Sequence, residues 1–158
     1  MKKNIKHIFI LAILLIPTSV FGQSPEFIDA IRANQSGEFD VASELLASEI
    51  TNNPSNDAAY FYLAKVEAAT NPTSAKIEDY FKKALELSPE NFWYKYFLAL
   101  YYSDTDRSEL TIVLMEELIE AHPKDKNLYL ELADLYLSQR ETDKALSTLD
   151  KIEKFAGF

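Results

Sequence analysis

Carboxylates are the only reactive side chains this sequence supplies in number: 25 Asp and Glu stand beside two histidines and no cysteine. Neighbouring acids occur at Glu116-Glu117, Glu38/Asp40 and Glu131/Asp134. General acid–base work by such a pair needs one member held in an apolar pocket that raises its pKa. At helical spacing, paired acids instead line a solvated face, and that is the expectation for all three. His7 falls in an N-terminal leader, and His122 precedes Pro123 in a turn, where it caps a helix C-terminus or is simply exposed. With no cysteine and one usable histidine, the usual zinc ligand sets are missing. Asp104, Thr105, Asp106 and Glu109 do not have the spacing of a complete calcium loop, so helix capping is the better account. After residue 22 the only glycines are Gly37 and Gly157, which leaves no glycine-rich phosphate loop and no Gly-x-Ser-x-Gly turn. These residues point away from an enzyme and call for no cofactor or metal. What remains is recognition by shape and by aromatic surface, with ten Phe, nine Tyr and one Trp available.

The elements that would position those aromatics are repeated. Pro54, Pro89 and Pro123 close similar stretches at intervals of 35 and 34 residues. In that register Leu63, Leu98 and Leu132 share a column, each followed by Ala64, Ala99 or Ala133. Leu46, Phe81, Met115 and Leu149 form a second column, and Ala84, Leu118 and Ile152 a third, with Glu49 as its odd member. Ala42 and Ala145 recur as small residues, with Ile77 and Thr111 in the equivalent places. Small residues at helix crossings allow close approach, and large apolar columns fill the spaces between neighbours.

This pattern resembles the tetratricopeptide repeat (TPR) family, in which a Leu-Ala pair and a Tyr on a first helix precede Ala and Phe on a second, followed by Pro. The fourth unit fits best, through Tyr129, Leu132, Ala133, Tyr136, Ala145 and Leu149; the first is weakest, through Gly37-Glu38-Phe39, Ala42, Leu46 and Pro54. The resemblance implies an all-α fold, a right-handed α-α superhelix of about four helix pairs. The units are expected at about 23–56, 57–91, 92–125 and 126–158. Eight helices are expected at about 25–36, 39–52, 57–70, 74–87, 91–103, 107–121, 126–138 and 142–155, and no strands. Ser24-Pro25 reads as an N-cap followed by Pro at the first helical position. Gly37 suits the turn after the first helix. Asp106-Arg107-Ser108-Glu109 has capping-box form, with Asp in place of Ser or Thr.

Residues 1–22 stand apart. Lys2, Lys3 and Lys6 precede an unbroken apolar run from Ile8 to Ile16, ended by Pro17, and Val20-Phe21-Gly22 offers a cleavage site before Gln23. This reads as a secretory signal peptide of bacterial type, with an uncleaved anchor as the alternative. The expected location is the periplasm or outside the cell. Loss of three lysines takes the net charge from −9 to −12, which excludes the clustered basic surface that nucleic acid requires. No membrane span is expected in the remaining chain, and without disulfides packing must do all the holding.

In the TPR family the first helices of successive units line a concave groove. By position, the groove residues here are Phe27, Ile31 and Asn34 in unit one, and Phe61, Lys65 and Ala68 in unit two. Unit three supplies Trp93, Tyr96, Leu100 and Ser103, and unit four Asn127, Leu130, Asp134 and Leu137. Family members that grip a C-terminal carboxylate use several Lys, Arg and Asn there; only Lys65 and Asn34 are of that kind. The resemblance therefore implies an exported scaffold binding an apolar or amphipathic peptide segment. Alternatives are side chains that pack on one another across a curved groove, or a following helix that fills it. A different role is also open, as the N-terminal sensory or regulatory input module of a larger envelope signalling protein. No polar capping helix follows Phe158, so the last face is expected to be covered by Phe155 and Phe158, by a second copy of the chain, or by further repeats.

Overall fold

The computed structural model describes residues 24–156. These residues form eight helices and no strand. The first pair is α1 (Pro25–Gln35) and α2 (Phe39–Asn52), the second α3 (Asp57–Thr70) and α4 (Lys76–Leu87). The third is α5 (Phe92–Asp104) and α6 (Ser108–Ala121), and the fourth α7 (Lys126–Ser138) and α8 (Thr142–Ala156). Each helix packs on its successor, and α1 also touches α3. The result is an all-α solenoid of four stacked pairs.

Starts and stops follow from local chemistry. The first helix of every unit has a side-chain N-cap. Ser24 Oγ accepts from the Phe27 amide at 3.0 Å, Asn56 from Ala59 at 3.1 Å, Asn91 from Trp93 at 3.0 Å and Asp125 from Asn127 at 3.0 Å. Each bond satisfies an amide that the first helical turn leaves unpaired.

Three of the four turns within a pair share one geometry. Gly37, Asp106 and Arg140 are left-handed, with φ of 77°, 58° and 63°. In each turn the next residue donates its amide back five positions: Glu38 to Ala33 O (2.9 Å), Arg107 to Tyr102 O (2.8 Å) and Glu141 to Tyr136 O (2.9 Å). This is the Schellman ending, in which a left-handed residue lets the chain recapture orphaned carbonyls. The capping box expected at Asp106 is therefore corrected: Asp106 is the left-handed turn residue, and Arg107 occupies the α6 N-cap position without a side-chain cap bond. The turn of unit two, with its extra residue, is built differently. Ser74 donates its amide to Asn71 O at 2.9 Å, and α4 starts at Lys76, two residues later than the pattern predicts.

The core is a spine of three apolar clusters, each spanning neighbouring units. The alanines paired with the leucine column, Ala64, Ala99 and Ala133, are fully buried, as are Ala42 and Ala145. Thr111, which stands where Ala42 and Ala145 stand in their units, is buried with its hydroxyl donating to Ala99 O at 3.4 Å or Arg107 O at 3.3 Å. A polar atom in the crossing is tolerated because the backbone satisfies it. Glu49, the odd acid in an apolar column, is also buried and gathers donors from Ser24, Asn53 (3.4 Å) and Asn56 (2.8 Å). It joins the caps of α1 and α3 through one carboxylate.

Candidate peptide-binding groove

The predicted groove residues form columns across the units. Phe27, Phe61, Tyr96 and Leu130 recur at 34, 35 and 34 residues, and so do Ile31, Lys65, Leu100 and Asp134. All eight lie on first helices. Their exposure differs along the first column. Phe27 and Phe61 are buried at 1% and 8% exposure, Tyr96 is half-buried and Leu130 is 47% exposed. Each of the first three is overlaid by the next first helix. Phe27 meets the Tyr62 ring edge-on at 6.1 Å, and Phe61 lies 4.8 Å from Tyr94 and 5.3 Å from Phe97. Phe27 and Phe61 are thus the floor and not the contact surface.

Two cavities hold most of the predicted residues. The first, of ≈ 460 Å³, lies between α1, α3 and α5 and includes Phe27, Ile31, Phe61, Lys65 and Trp93. Trp93 is 59% exposed at its rim, and Asn91, the α5 N-cap, fixes the turn that presents it. Ring contacts join Trp93 to Phe92, Tyr96 and Phe97 at 5.1, 6.2 and 6.5 Å. Lys65 reaches across the aromatic wall, with Nζ 4.8 Å from the Phe97 ring centre and 5.5 Å from that of Phe61. Cation–π attraction holds the ammonium there without consuming its charge. Lys65 makes no ion pair among the described residues.

The second cavity, of ≈ 380 Å³, lies between α5, α6 and α7 and includes Tyr96, Leu100, Ser103 and Asp134. Tyr96 stacks on Phe92 at 5.7 Å and donates its hydroxyl to Glu131 Oε1 at 2.9 Å. Burial, reinforced by the Glu131 carboxylate, pushes the Tyr96 phenol up to about 12. Tyr96 is therefore a wall fixed from both sides, whereas Trp93 is the free aromatic. Leu130 and Leu137 are exposed on α7 outside both cavities. A further cavity of ≈ 490 Å³ between α6, α7 and α8 contains none of the predicted residues and interleaves acids with Lys144 and Lys151.

Tyr62, Phe97, Ala58 and Glu131 also line the groove but were not predicted. Three of them had a readable signal. Positions 58, 61, 62 and 65 form one continuous helix face, and Phe97 follows Trp93 by one turn. Among the described residues no group of three His, Cys, Asp or Glu could hold a metal ion. No helix there is long and apolar enough to cross a membrane. His122 is the exposed C-cap of α6, with its ring edge-on to Phe92 at 5.1 Å.

Stacked helix pairs with capped first helices and an aromatic inner face define a helical-repeat solenoid. Family models described as tetratricopeptide repeat match residues 30–92 and 109–157. The chain belongs to the tetratricopeptide repeat family. No curated protein matches it at a significant level. Among solved structures it is similar to MamA (19% identity, 85% of this chain and 76% of that chain, TM-score 0.69). It is similar also to MamA from Desulfovibrio magneticus RS-1 (14%, 84% and 74%, TM-score 0.70). A third is YrrB, described as a TPR protein with an unusual peptide-binding site (18%, 83% and 67%, TM-score 0.69). At these identities the likeness is one of fold.

Proposed function

We propose that this protein is an exported interaction scaffold that holds an apolar or amphipathic peptide segment against the inner faces of α1, α3, α5 and α7. The observation that carries the reading is Trp93, an indole 59% exposed at the rim of an aromatic cavity. Its neighbours are already ordered by ring contacts, so an incoming apolar side chain gains contact area with little loss of freedom on the protein side. Trp is also the residue type most enriched among binding anchors. The groove reading needs shape and surface alone and draws only on the described residues. The leader at residues 1–22 lies outside them, and it is the sole basis for placing the working protein in the periplasm or outside the cell.

Selection of random displayed peptides on the purified protein tests the groove. Apolar sequences should be enriched on the native protein and lost on Trp93→Ala, with helix content and melting temperature unchanged. Enrichment that survives Trp93→Ala would remove the groove from the mechanism. Mass spectrometry of the protein from the source cell's envelope should find a chain starting at Gln23.

A further inference from the structure

We infer that the groove reads the order of charge in its occupant. The occupant is an extended segment with an acidic side chain opposite Lys65, apolar side chains across α5, and a basic side chain opposite Glu131 and Asp134. This rests on the peptide-groove reading above and adds to it a charge pattern and a spacing.

The charges of the two cavities are opposite. Lys65 is the only charged residue lining the cavity between α1, α3 and α5 among the described residues. Among the described residues Glu131 and Asp134 are the only charged ones lining the cavity between α5, α6 and α7. Lys65, Leu100 and Asp134 are one column of the repeat, so a cation, an apolar side chain and an anion occupy the same helical position on three successive first helices. Neither end is neutralised internally. Lys65 makes ring contacts and no ion pair, and Asp134 is exposed and takes part in none of the ion pairs among the described residues. Glu131 accepts one hydroxyl, from Tyr96 on one oxygen, and keeps capacity for a second donor.

The spacing follows from the stacking. The first helices α3, α5 and α7 meet through long side chains, Phe61 on Phe97 and Tyr96 on Glu131, so each step exceeds the roughly 8–10 Å of directly packed helices and two steps cover roughly 20–25 Å. An extended chain rises about 3.3 Å per residue. The acidic and basic side chains of the occupant are therefore about six to eight residues apart. Between them α5 offers Trp93 and Leu100, 59% and 37% exposed, to apolar side chains. Complementary charges at both ends select against segments that carry one sign throughout, because a like charge facing Lys65 or Asp134 is repelled.

The test uses capped heptapeptides with one interior, Ala-Leu-Phe-Leu-Ala, and three sets of ends: Glu with Lys, Glu with Glu, and Lys with Lys. They contain no tryptophan, so the protein's single tryptophan, Trp93, reports binding through its fluorescence. The mixed-end peptide should bind about fivefold more tightly than either like-ended one at low salt, as expected of one partly exposed charge pair. Lys65→Glu should move the preference to the Lys-Lys peptide, and Asp134→Lys, which sets one lysine beside Glu131, should erase the preference for Glu-Lys over Glu-Glu ends. Equal binding of all three peptides, unchanged in both variants, would overturn the charge order while leaving the apolar groove intact. Failure of every peptide to bind, by fluorescence and by calorimetry, would overturn the groove reading itself.

Discussion

Arg107, at the start of α6, points Nη1 at Glu78 Oε2 on α4, 2.6 Å away and 29 residues earlier in the chain. The bond joins the second helix of unit two to the turn of unit three. Lys82 Nζ reaches Glu78 Oε1 at 2.7 Å, and the Tyr102 hydroxyl donates to the same oxygen at 3.0 Å. The Arg107 guanidinium also lies 4.4 Å from the Tyr102 ring centre. One carboxylate thus gathers three donors at a junction between units, where a solenoid depends on nearest-neighbour contacts.

That junction sets an acid limit. The Arg107 and Lys82 hydrogen bonds, helped by Tyr102, hold the Glu78 carboxyl at about 2, down from 4.5. A carboxylate with a lowered folded-state pKa stabilises fully above its unfolded value and loses that contribution as pH falls toward the folded one. Stability should therefore drop between about pH 4.5 and pH 2, by on the order of 2 kcal/mol from this group, since its edge still meets solvent. Glu78→Gln should lose about that much at pH 7 and flatten the same stretch of the urea-midpoint profile. An unchanged slope in the variant would mean that other carboxylates set the limit.

The three left-handed turns make a graded series. Gly37 has open space around a Cβ, so Gly37→Ala meets no clash and its cost is conformational alone, about 1 kcal/mol. Arg140 has a similar φ with a full side chain, and Arg140→Gly should stabilise by about 0.5–1 kcal/mol after the added freedom of the unfolded chain is subtracted. Asp106→Gly should gain less, because a short polar side chain tolerates this region better. Thermal melts should rank Arg140→Gly above Asp106→Gly, and both above Gly37→Ala.

Glu49 offers a different kind of test, because its column is otherwise apolar. It is buried at 3% exposure and its two oxygens serve Ser24, Asn53 and Asn56. Glu49→Ala leaves the half-buried Ser24 and Asn56 without their acceptor while the exposed Asn53 turns to water, at a cost of about 2 kcal/mol. Glu49→Gln keeps the shape but turns one acceptor into a donor facing donors, and should cost about 1–2 kcal/mol. Hydrogen exchange should show α1 opening first in both, since Ser24 caps that helix.

Helix number, register and the capped starts were legible because they depend on period and on local side chains. The Leu-Ala columns, Ser24-Pro25 and Gly37 needed nothing beyond the segment they sit in. Asp106 and Arg140 were hidden because their role is a backbone angle, and only their register with Gly37, at 69 and 103 residues, carried the signal. The Glu78–Arg107 bond was hidden for another reason: it joins residues 29 apart, off the repeat period, so no column contains both. In the candidate groove the columns all fall on first helices. They did not tell floor from rim, because Phe27, Phe61, Tyr96 and Leu130 are equivalent in register and differ only in what the next unit lays over them. The fates proposed for Phe155 and Phe158 at the last face lie outside the described side chains, as does the leader.

Alkali should unfold the protein through its buried phenols. Burial raises Tyr94, Tyr96, Tyr102 and Tyr136 above the usual value of 10, and carboxylate neighbours add to it: Asp57, Glu131, Glu78 and Glu116 in turn. Tyr96 stands at about 12. For an acid whose folded pKa is raised, the stabilisation is complete below the unfolded value and is lost as pH rises through the folded one. Four such groups, three on α5 and one on α7, strain the same stack between about pH 10 and pH 12. Phenolate absorbance should therefore rise together with loss of helical circular dichroism in one cooperative step. Tyr96→Phe keeps the stack on Phe92, gives up the Glu131 bond at about 1 kcal/mol, and should shift that step to higher pH. A smooth, independent titration of the tyrosines with helix content unchanged to pH 12 would show that the phenols are not held as the hydrogen bonds require.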